Sequence, residues 1–402
     1  MRVIESSAFV AVPMAGMTLS QMGAEVIRFD RLEGGLDARR MPYSPSGSSL
    51  FWSGMNKGKK SIAVDMKNPE GKDLITNLIT APGKDAGLFL TNLKVKGWLD
   101  YETLSELRSD IIIVTLKGDR QGRPQVDYTV NPALGIPEIT GHEGSTEPVA
   151  NAIPAWDMIA GNMCVSSLLA AERYRLRHGV GQDVEIALKD VAAAAIGHLG
   201  MIADSTLNTD DRSKAGNALY GAYGKDFLCA DGNRVMIIGL TSRQWSGILK
   251  ATDTTEQFKN LENEKNINLN DEAIRWKWRH EITAILEPWF KTRAVEDFAR
   301  DFDNTGLTWS VFRSVKEALE FDPDLSEDNP LFKKIKQPEA GEFLVPRHPA
   351  NFSKVDNTEA KGAPALGEHT EEILGDILHL SDIEISNLFD KGVVASPTYN
   401  KN

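Results

Sequence analysis

The sequence predicts an α/β protein with a large Rossmann-like, doubly wound domain and a smaller α/β domain. Three observations predict it. Short apolar runs alternate with helical segments over the first third of the chain, the pattern of a parallel sheet covered on both faces. A long helical stretch from Trp156 to Leu176 and a strand-like run at Val184–Leu188 extend that pattern. Near Tyr220 the character changes to a hairpin followed by helices.

Val3–Glu5 reads as the first strand. Pro13 suits the opening turn of a helix through Met17, Leu19 and Met22, ended by Gly23. Glu25–Asp30 and Ser61–Asp65 are the next strands, and the second leads to a helix opening near Pro69, where Glu70 suits the helix dipole. Ala86–Thr91 and Ile111–Lys117 follow as strands. Residues 118–150 lose all periodicity and are rich in Gly, Pro and Thr, so a long functional loop is expected. The helix after it is apolar at Met158, Ile159, Met163, Val165, Leu168 and Leu169 and stops at Gly179 and Gly181. An Ala-rich helix is expected over Asp190–Leu207.

Asp231-Gly232-Asn233, between Phe227–Ala230 and Val235–Leu240, is a hairpin signal. Helices are expected over Ser242–Ala251, Asp271–Thr292 and Ala294–Thr305. The expected organisation is 1–221 for the first part of the large domain and 222–325 for the small α/β domain. Residues 326–394 return to the large domain, with short helices near Glu368–His379 and Ser381–Lys391, and 395–402 form a disordered tail.

The composition is that of an ordinary globular enzyme, and the net charge of −12 argues against nucleic acid as partner, since phosphate backbones need a basic surface. It leaves room for an anionic ligand on a local basic patch. Cys164 and Cys229 have neither disulfide nor metal spacing, and the histidines are unpaired, so no metal is expected. No stretch is long and apolar enough to cross a bilayer, and the strand pattern begins directly after Met1, so a cytoplasmic protein without membrane contact is expected. The turn from Ser6 to Pro13 has no G-x-G-x-x-G, and neither a P-loop nor a G-x-S-x-G elbow occurs. No permanently bound cofactor is expected.

Asp157 opens the long helix in Ile153-Pro154-Ala155-Trp156-Asp157. It reads as a first-turn acid that stabilises the helix. It also reads as a nucleophile, kept ionised by the helix N-terminus and able to attack an acyl carbon. Gly161, one turn on, either leaves space for a ligand or allows close helix packing. Asn56-Lys57-Gly58-Lys59-Lys60-Ser61, with Arg31 and Lys67 after strands, is either a solvated charge cluster or a site for phosphates at the strand ends.

Pro13-Met14-Ala15 with Gly23-Ala24-Glu25-Val26-Ile27, Asn56-Lys57-Gly58-Lys59-Lys60-Ser61, Gly179-Val180-Gly181-Gln182 with Asp190, and Leu366-Gly367-Glu368-His369-Thr370-Glu371-Glu372-Ile373-Leu374 together resemble the class III CoA-transferases, which include formyl-CoA transferases and 2-methylacyl-CoA racemases. The matches run in order from about residue 3 to 394. The resemblance implies a two-domain chain in an interlocked homodimer, an acyl-CoA substrate that brings coenzyme A, and Asp157 as the carboxylate that carries CoA. It also implies CoA contacts at Val10, Ala11, Arg31, Val64, Lys67, Asn92 and Leu93. Stretches such as Pro154-Ala155-Trp156-Asp157 and Gly216-Asn217-Ala218-Leu219-Tyr220 are closer to the branch that moves CoA between two carboxyls of one dicarboxylic acid. Tyr128, Asn131, His198, Asn217 and Tyr220 are candidate donors to that acid's free carboxylate, and each also reads as an ordinary satisfied polar residue.

Three alternatives stay open. One is intermolecular CoA transfer. Another is a racemase, which uses a His about thirty residues before its Asp, where this chain has Asp127. The third is an acyl-CoA binding protein with no need of an acid at 157.

Overall fold

The computed structural model describes residues 1–94 and 96–397. Its contacts divide the chain into two units. The larger takes Met1–Leu134, Asn151–Thr209 and the segment from Pro323 onward, and the smaller takes Gly135–Ala150 and Asp210–Asp322. Residues 135–150 and 210–221 therefore join the small unit, outside the 222–325 expected for it.

The larger unit begins β1 (Arg2–Ser6), α1 (Ala11–Gln21), β2 (Glu25–Asp30), α2 (Leu50–Met55), β3 (Lys60–Val64), α3 (Pro69–Thr80), β4 (Leu88–Thr91), α4 (Tyr101–Leu107), β5 (Ile112–Lys117) and α5 (Asp127–Ala133). After α6 (Ile136–Ile139), which belongs to the smaller unit, it continues with α7 (Ala155–His178), β6 (Gln182–Ala187), α8 (Leu188–His198) and α9 (Met201–Leu207). The six strands pair in parallel in the order β3-β2-β1-β4-β5-β6, the doubly wound arrangement. Strands covered on both faces need apolar residues throughout, and β4 and most of β5 are fully buried. Ile4, Ile27, Phe29, Ile62, Phe89 and Ile113 from the sheet pack against Ile75, Leu78 and Ile79 of α3. That helix opens as expected: Pro69 is in its first turn, and the Asn68 side chain accepts from Glu70 N–H.

The smaller unit holds β7 (Tyr223–Leu228), β8 (Arg234–Gly239), α10 (Ser242–Ala251), α11 (Thr255–Lys265), α12 (Glu272–Lys277), α13 (Arg279–Lys291), α14 (Ala299–Thr305), β9 (Thr308–Val311) and α15 (Val315–Phe321). Its sheet is antiparallel, β7-β8-β9, with Phe227, Trp245, Phe258, Phe290 and Phe302 in the core. The chain then adds the hairpin β10 (Phe332–Gln337) and β11 (Gly341–Pro346), then α16 (Thr370–Asp376), α17 (Asp382–Asp390) and β12 (Val394–Ala395) to the larger unit. β12 pairs antiparallel with β3, so Ala395 belongs to the sheet and not to a tail. Residues 398–402 of the expected tail lie outside the described residues.

Several expectations change. Residues 118–150 hold two short helices, α5 and α6. The helix expected over 190–207 breaks at Gly200, which has φ 76°, a conformation glycine takes without strain. The one expected over 271–292 divides into α12 and α13 at Trp278. α11 went unrecognised because its sequence is polar on nearly every face, with Phe258 its one buried residue.

A buried ion network ties the first three strands together. Arg28 on β2 donates to Asp30 at 2.9 and 3.1 Å and to Asp37 at 2.7 and 3.2 Å. It also donates to the Ser7 carbonyl at 3.1 Å and stacks over Trp52. Lys59 donates to Glu5 and to the Pro13 carbonyl, both at 2.8 Å. Desolvation pulls the Arg28 pKa down, but Asp30 and Asp37 outweigh it and hold the guanidinium charged, above its ordinary value. Removing one member strands the others in a site without water. Arg28→Ala is expected to cost about 3–5 kcal/mol in chemical denaturation. A cost below about 1 kcal/mol, as for an exposed ion pair, would show that the network does not anchor the fold.

Candidate active site

In a sheet of this order, the loops leaving β1 and β4 diverge and open a crevice at the strand C-terminal ends. A cleft of about 500 Å³ lies there, formed by residues of the larger unit alone. One wall is the turn after β1, with Ala8, Phe9, Val10 and Ala11, and Asn92 and Leu93 after β4 face it. Lys117 and Gly118 after β5, Asp127 and Tyr128 of α5, and Pro154 and Asp157 at the start of α7 complete the floor. Arg40 and Phe51 close one side.

The turn after β1 takes a tight path with no glycine in it. Phe9 has φ 67°, in the left-handed region that a bulky residue occupies only under constraint. The constraint is visible on both sides. Asn92 accepts from Ala8 N–H at 2.9 Å and donates to the Ala8 carbonyl at 2.8 Å, while Arg28 holds the Ser7 carbonyl.

Asp157 sits in the first turn of α7, but its carboxylate does not cap that helix. Asp127 does: its Oδ2 accepts from Trp156 N–H at 2.7 Å and Asp157 N–H at 3.1 Å. Among the described residues nothing donates to the Asp157 carboxylate. Burial first, and the Asp127 charge second, push its carboxyl up to about 6. The expectation that the helix N-terminus holds it low is overturned, because the end N–H groups are already taken. At neutral pH the group is still mostly ionised, and it is a stronger base than an ordinary aspartate. Gly161 does not make room for a ligand. A Cβ there would lie 2.7 Å from both the Ala11 carbonyl oxygen and Met14 Cε, so it lets α7 pack closely on α1.

Comparisons with known proteins identify the family. The sequence model of CoA-transferase family III matches residues 1–370. The chain belongs to CoA-transferase family III. It is 50% identical to a 2-methylfumaryl-CoA isomerase of Chloroflexus aurantiacus over 99% of this chain and 97% of that protein. It is 26% identical to the human succinyl-CoA:glutarate CoA-transferase over 98% of this chain and 89% of that one. A CAIB/BAIF family protein from Brucella suis superposes with a TM-score of 0.76 over 94% of this chain and 98% of its own, at 23% identity, which speaks for the fold alone.

Of the CoA contacts that the family resemblance implies, Val10, Ala11, Asn92 and Leu93 face the Asp157 cleft. The Asn92 amide bonds both backbone polar atoms of Ala8 and so holds the turn. Arg31 and Lys67 are exposed beyond the ends of β2 and β3 and line none of this cleft, while Val64 is enclosed in β3. The expected lysine cluster is structural: Lys59 is buried on Glu5, and Lys60 pairs with Glu25 and Glu372.

Among the carboxylate donors, Tyr128 lines the cleft. Asn131 is buried, with its Oδ1 accepting from Trp156 Nε1 at 2.9 Å, so it positions the start of α7 from within. His198 is exposed at the end of α8. Asn217 and Tyr220 belong to the smaller unit, where the Tyr220 ring packs on Trp276 and under Arg212. None of these four is a lining residue of this cleft.

Arg40 and Phe51 were not anticipated. The Arg40 guanidinium lies over the Phe9 and Phe51 rings, at 5.5 and 5.3 Å, and has no acidic partner among the described residues. The signal for it was present in Ala38-Arg39-Arg40, basic residues in an acidic chain, but nothing local distinguishes Arg40 from a solvated charge.

The raised Asp157 pKa has a cost for stability. Its folded value of about 6 lies above the ordinary 3.8, so ionisation is harder in the folded chain than in the unfolded one. Below pH 4 both states are protonated and nothing is lost. The cost grows through pH 4–6 and is complete above it, at about 3 kcal/mol. Asp157→Asn is therefore expected to be more stable than the parent at pH 8 by up to that amount, and the gain should fade towards pH 4. Equal stabilities at pH 8 in denaturant titrations would show Asp157 to be as well solvated as a surface acid.

Proposed function

We propose that this enzyme moves CoA from the C1 to the C4 carboxyl of 2-methylfumaryl-CoA (mesaconyl-CoA), with Asp157 as the covalent carrier. The observation that carries the proposal is the 50% identity, over nearly the whole chain, to the Chloroflexus aurantiacus isomerase of that name. It is supported by a basic, half-buried carboxylate in a cleft at the sheet's switch point.

The Asp157 carboxylate attacks the C1 thioester carbonyl. The C–S bond breaks, giving a mixed anhydride and CoA thiolate. The thiolate attacks the Asp157 acyl carbon and releases mesaconate, leaving an aspartyl-CoA thioester. Mesaconate turns over in the cleft, and its C4 carboxylate attacks the aspartyl carbonyl, re-forming an anhydride and thiolate. Thiolate attack at the C4 carbonyl then gives the C4 ester and restores the Asp157 carboxylate. Each step exchanges one acyl bond for another, and no proton or electron needs an outside partner.

Val10 and Ala11 open α1, where backbone N–H groups have no intrahelical acceptor and can receive the developing oxyanions. Arg40 is the cation we assign to the substrate's free carboxylate, with Tyr128 as a further donor. CoA in this arrangement runs along the strand ends from Leu93 towards Val64, with Arg31 and Lys67 available to its phosphates. The homodimer belongs to the same proposal. α7 exposes Met158, Ile159 and Met163, and Leu199, Ile202 and Leu207 are exposed beside and along α9, apolar surface of the kind a second chain covers. Among the described residues no helix is long and apolar enough to cross a membrane. The proposed setting is the cytoplasm, in glyoxylate assimilation through the 3-hydroxypropionate cycle.

The discriminating test supplies C1-mesaconyl-CoA together with excess isotopically labelled free mesaconate. Unlabelled C4 ester is the expected product, because the freed acid stays in the cleft. Labelled ester would make the enzyme an intermolecular CoA-transferase, the second reading, which the likeness to the human succinyl-CoA:glutarate CoA-transferase favours. Absence of conversion would remove this substrate.

A further inference from the structure

We propose that Asp127 is a positioning residue for the Asp157 nucleophile: it occupies the N–H groups at the start of α7, so that the Asp157 carboxylate is denied them and faces the acyl carbon uncapped. This rests on Asp157 being the nucleophile, and it names what sets the reactivity of that group.

The geometry has two parts. Oδ2 of Asp127 takes the N–H groups of both Trp156 and Asp157, the donors towards which a first-turn carboxylate would otherwise turn. Oδ1 has no hydrogen-bond partner among the described residues, although Asp127 is almost wholly buried at 1% exposure. An enclosed carboxylate oxygen without a donor is unfavourable, and a cap alone does not require it. Asn and Ser cap a helix as well as Asp does. What Asp127 adds over them is a negative charge beside Asp157.

That charge acts in the direction the chemistry needs. A carboxylate at a free helix end is stabilised by the N–H groups and is a weaker base and nucleophile. With those groups taken and a like charge adjacent, Asp157 stays more basic, as the upward shift of its carboxyl shows. The other charged groups lining the cleft are Arg40 and Lys117, and the Tyr128 phenol is its further titratable group. Lys117 is paired with Glu185, which leaves Arg40 as the unpaired cation. Both cations oppose Asp127 in sign, so among the charged groups lining the cleft the acid alone adds to the rise that burial gives Asp157.

Asp127→Asn separates the charge from the cap, since the amide oxygen accepts the same two N–H bonds. Activity is followed as kcat/KM against pH in the full-length enzyme with C1-mesaconyl-CoA. The substrate's own ionisation is common to both proteins. The expected result is an acid limb displaced to lower pH than in the parent and a lower plateau at pH 8, with a Tm no lower than the parent's. Asp127→Ala, which also removes the cap and frees those N–H groups for Asp157, should displace the limb at least as far and lower the Tm. An acid limb of D127N that coincides with the parent's would overturn the proposal and leave Asp127 a helix cap. If D127N fails to fold, Asp127→Ser, an uncharged cap, gives the same comparison. Mass spectrometry of the peptide around residue 157, quenched during turnover, distinguishes the two levels. Absence of a CoA adduct on Asp157 in the parent sinks the nucleophile itself. An adduct together with an unmoved limb sinks only the role of Asp127.

Discussion

The turn after β1 is the constraint on which the cleft depends. It lines the cleft without the glycines that usually allow a tight path, and it does so with Phe9 at a positive φ. A backbone held there relaxes unless its neighbours are fixed. Arg28 fixes Ser7 and Asn92 fixes Ala8 at both polar atoms. Arg28 in turn is fixed by two aspartates inside the protein. The buried charges look extravagant as a source of stability, since apolar residues could fill the same volume at no loss. As a means of specifying one loop conformation they are economical: a guanidinium with five directed donors reaches partners on several segments at once.

The same logic explains which parts of the molecule could be read in the sequence. β4 and β5 are legible because buried parallel strands demand nearly uninterrupted apolar runs, and α3 because Pro69 and Glu70 announce it. α11 was illegible because a helix held by one phenylalanine leaves no periodic stripe. The helices in 118–150 are too short for periodicity to register. In the site, Asp157 stood out from its place in the first turn of a long helix and from family resemblance. Its environment was not legible, because the residue that alters it lies thirty positions earlier and meets it only through the fold.

Asp127 shows how the same position can be read two ways. From sequence it served to weaken the racemase alternative, since an acid stands where that branch has a histidine. In the structure the acid is not merely a missing histidine but a partner to the backbone of Asp157. Gly161 also had two readings, space for a ligand or close helix packing, and α1 fills the space. In both cases the deciding fact was a neighbour distant in sequence, which residue type and spacing cannot supply.

The site also sets stability against chemistry. A carboxylate that is half buried, uncapped and beside a second carboxylate is costly to ionise, and the fold carries that cost at the pH where the enzyme must work. The compensation is structural. α7 has its first N–H groups satisfied by Asp127, its Trp156 indole held by Asn131, and its flank packed on α1 through Gly161. A rigid helix start fixes where the carboxylate points, and the energy for that rigidity comes from groups that need not touch the substrate. Reactivity at Asp157 is therefore a property of the whole corner where β1, α1, α5 and α7 meet, and a change in any of these contacts should reach the chemistry through the position or basicity of one carboxylate.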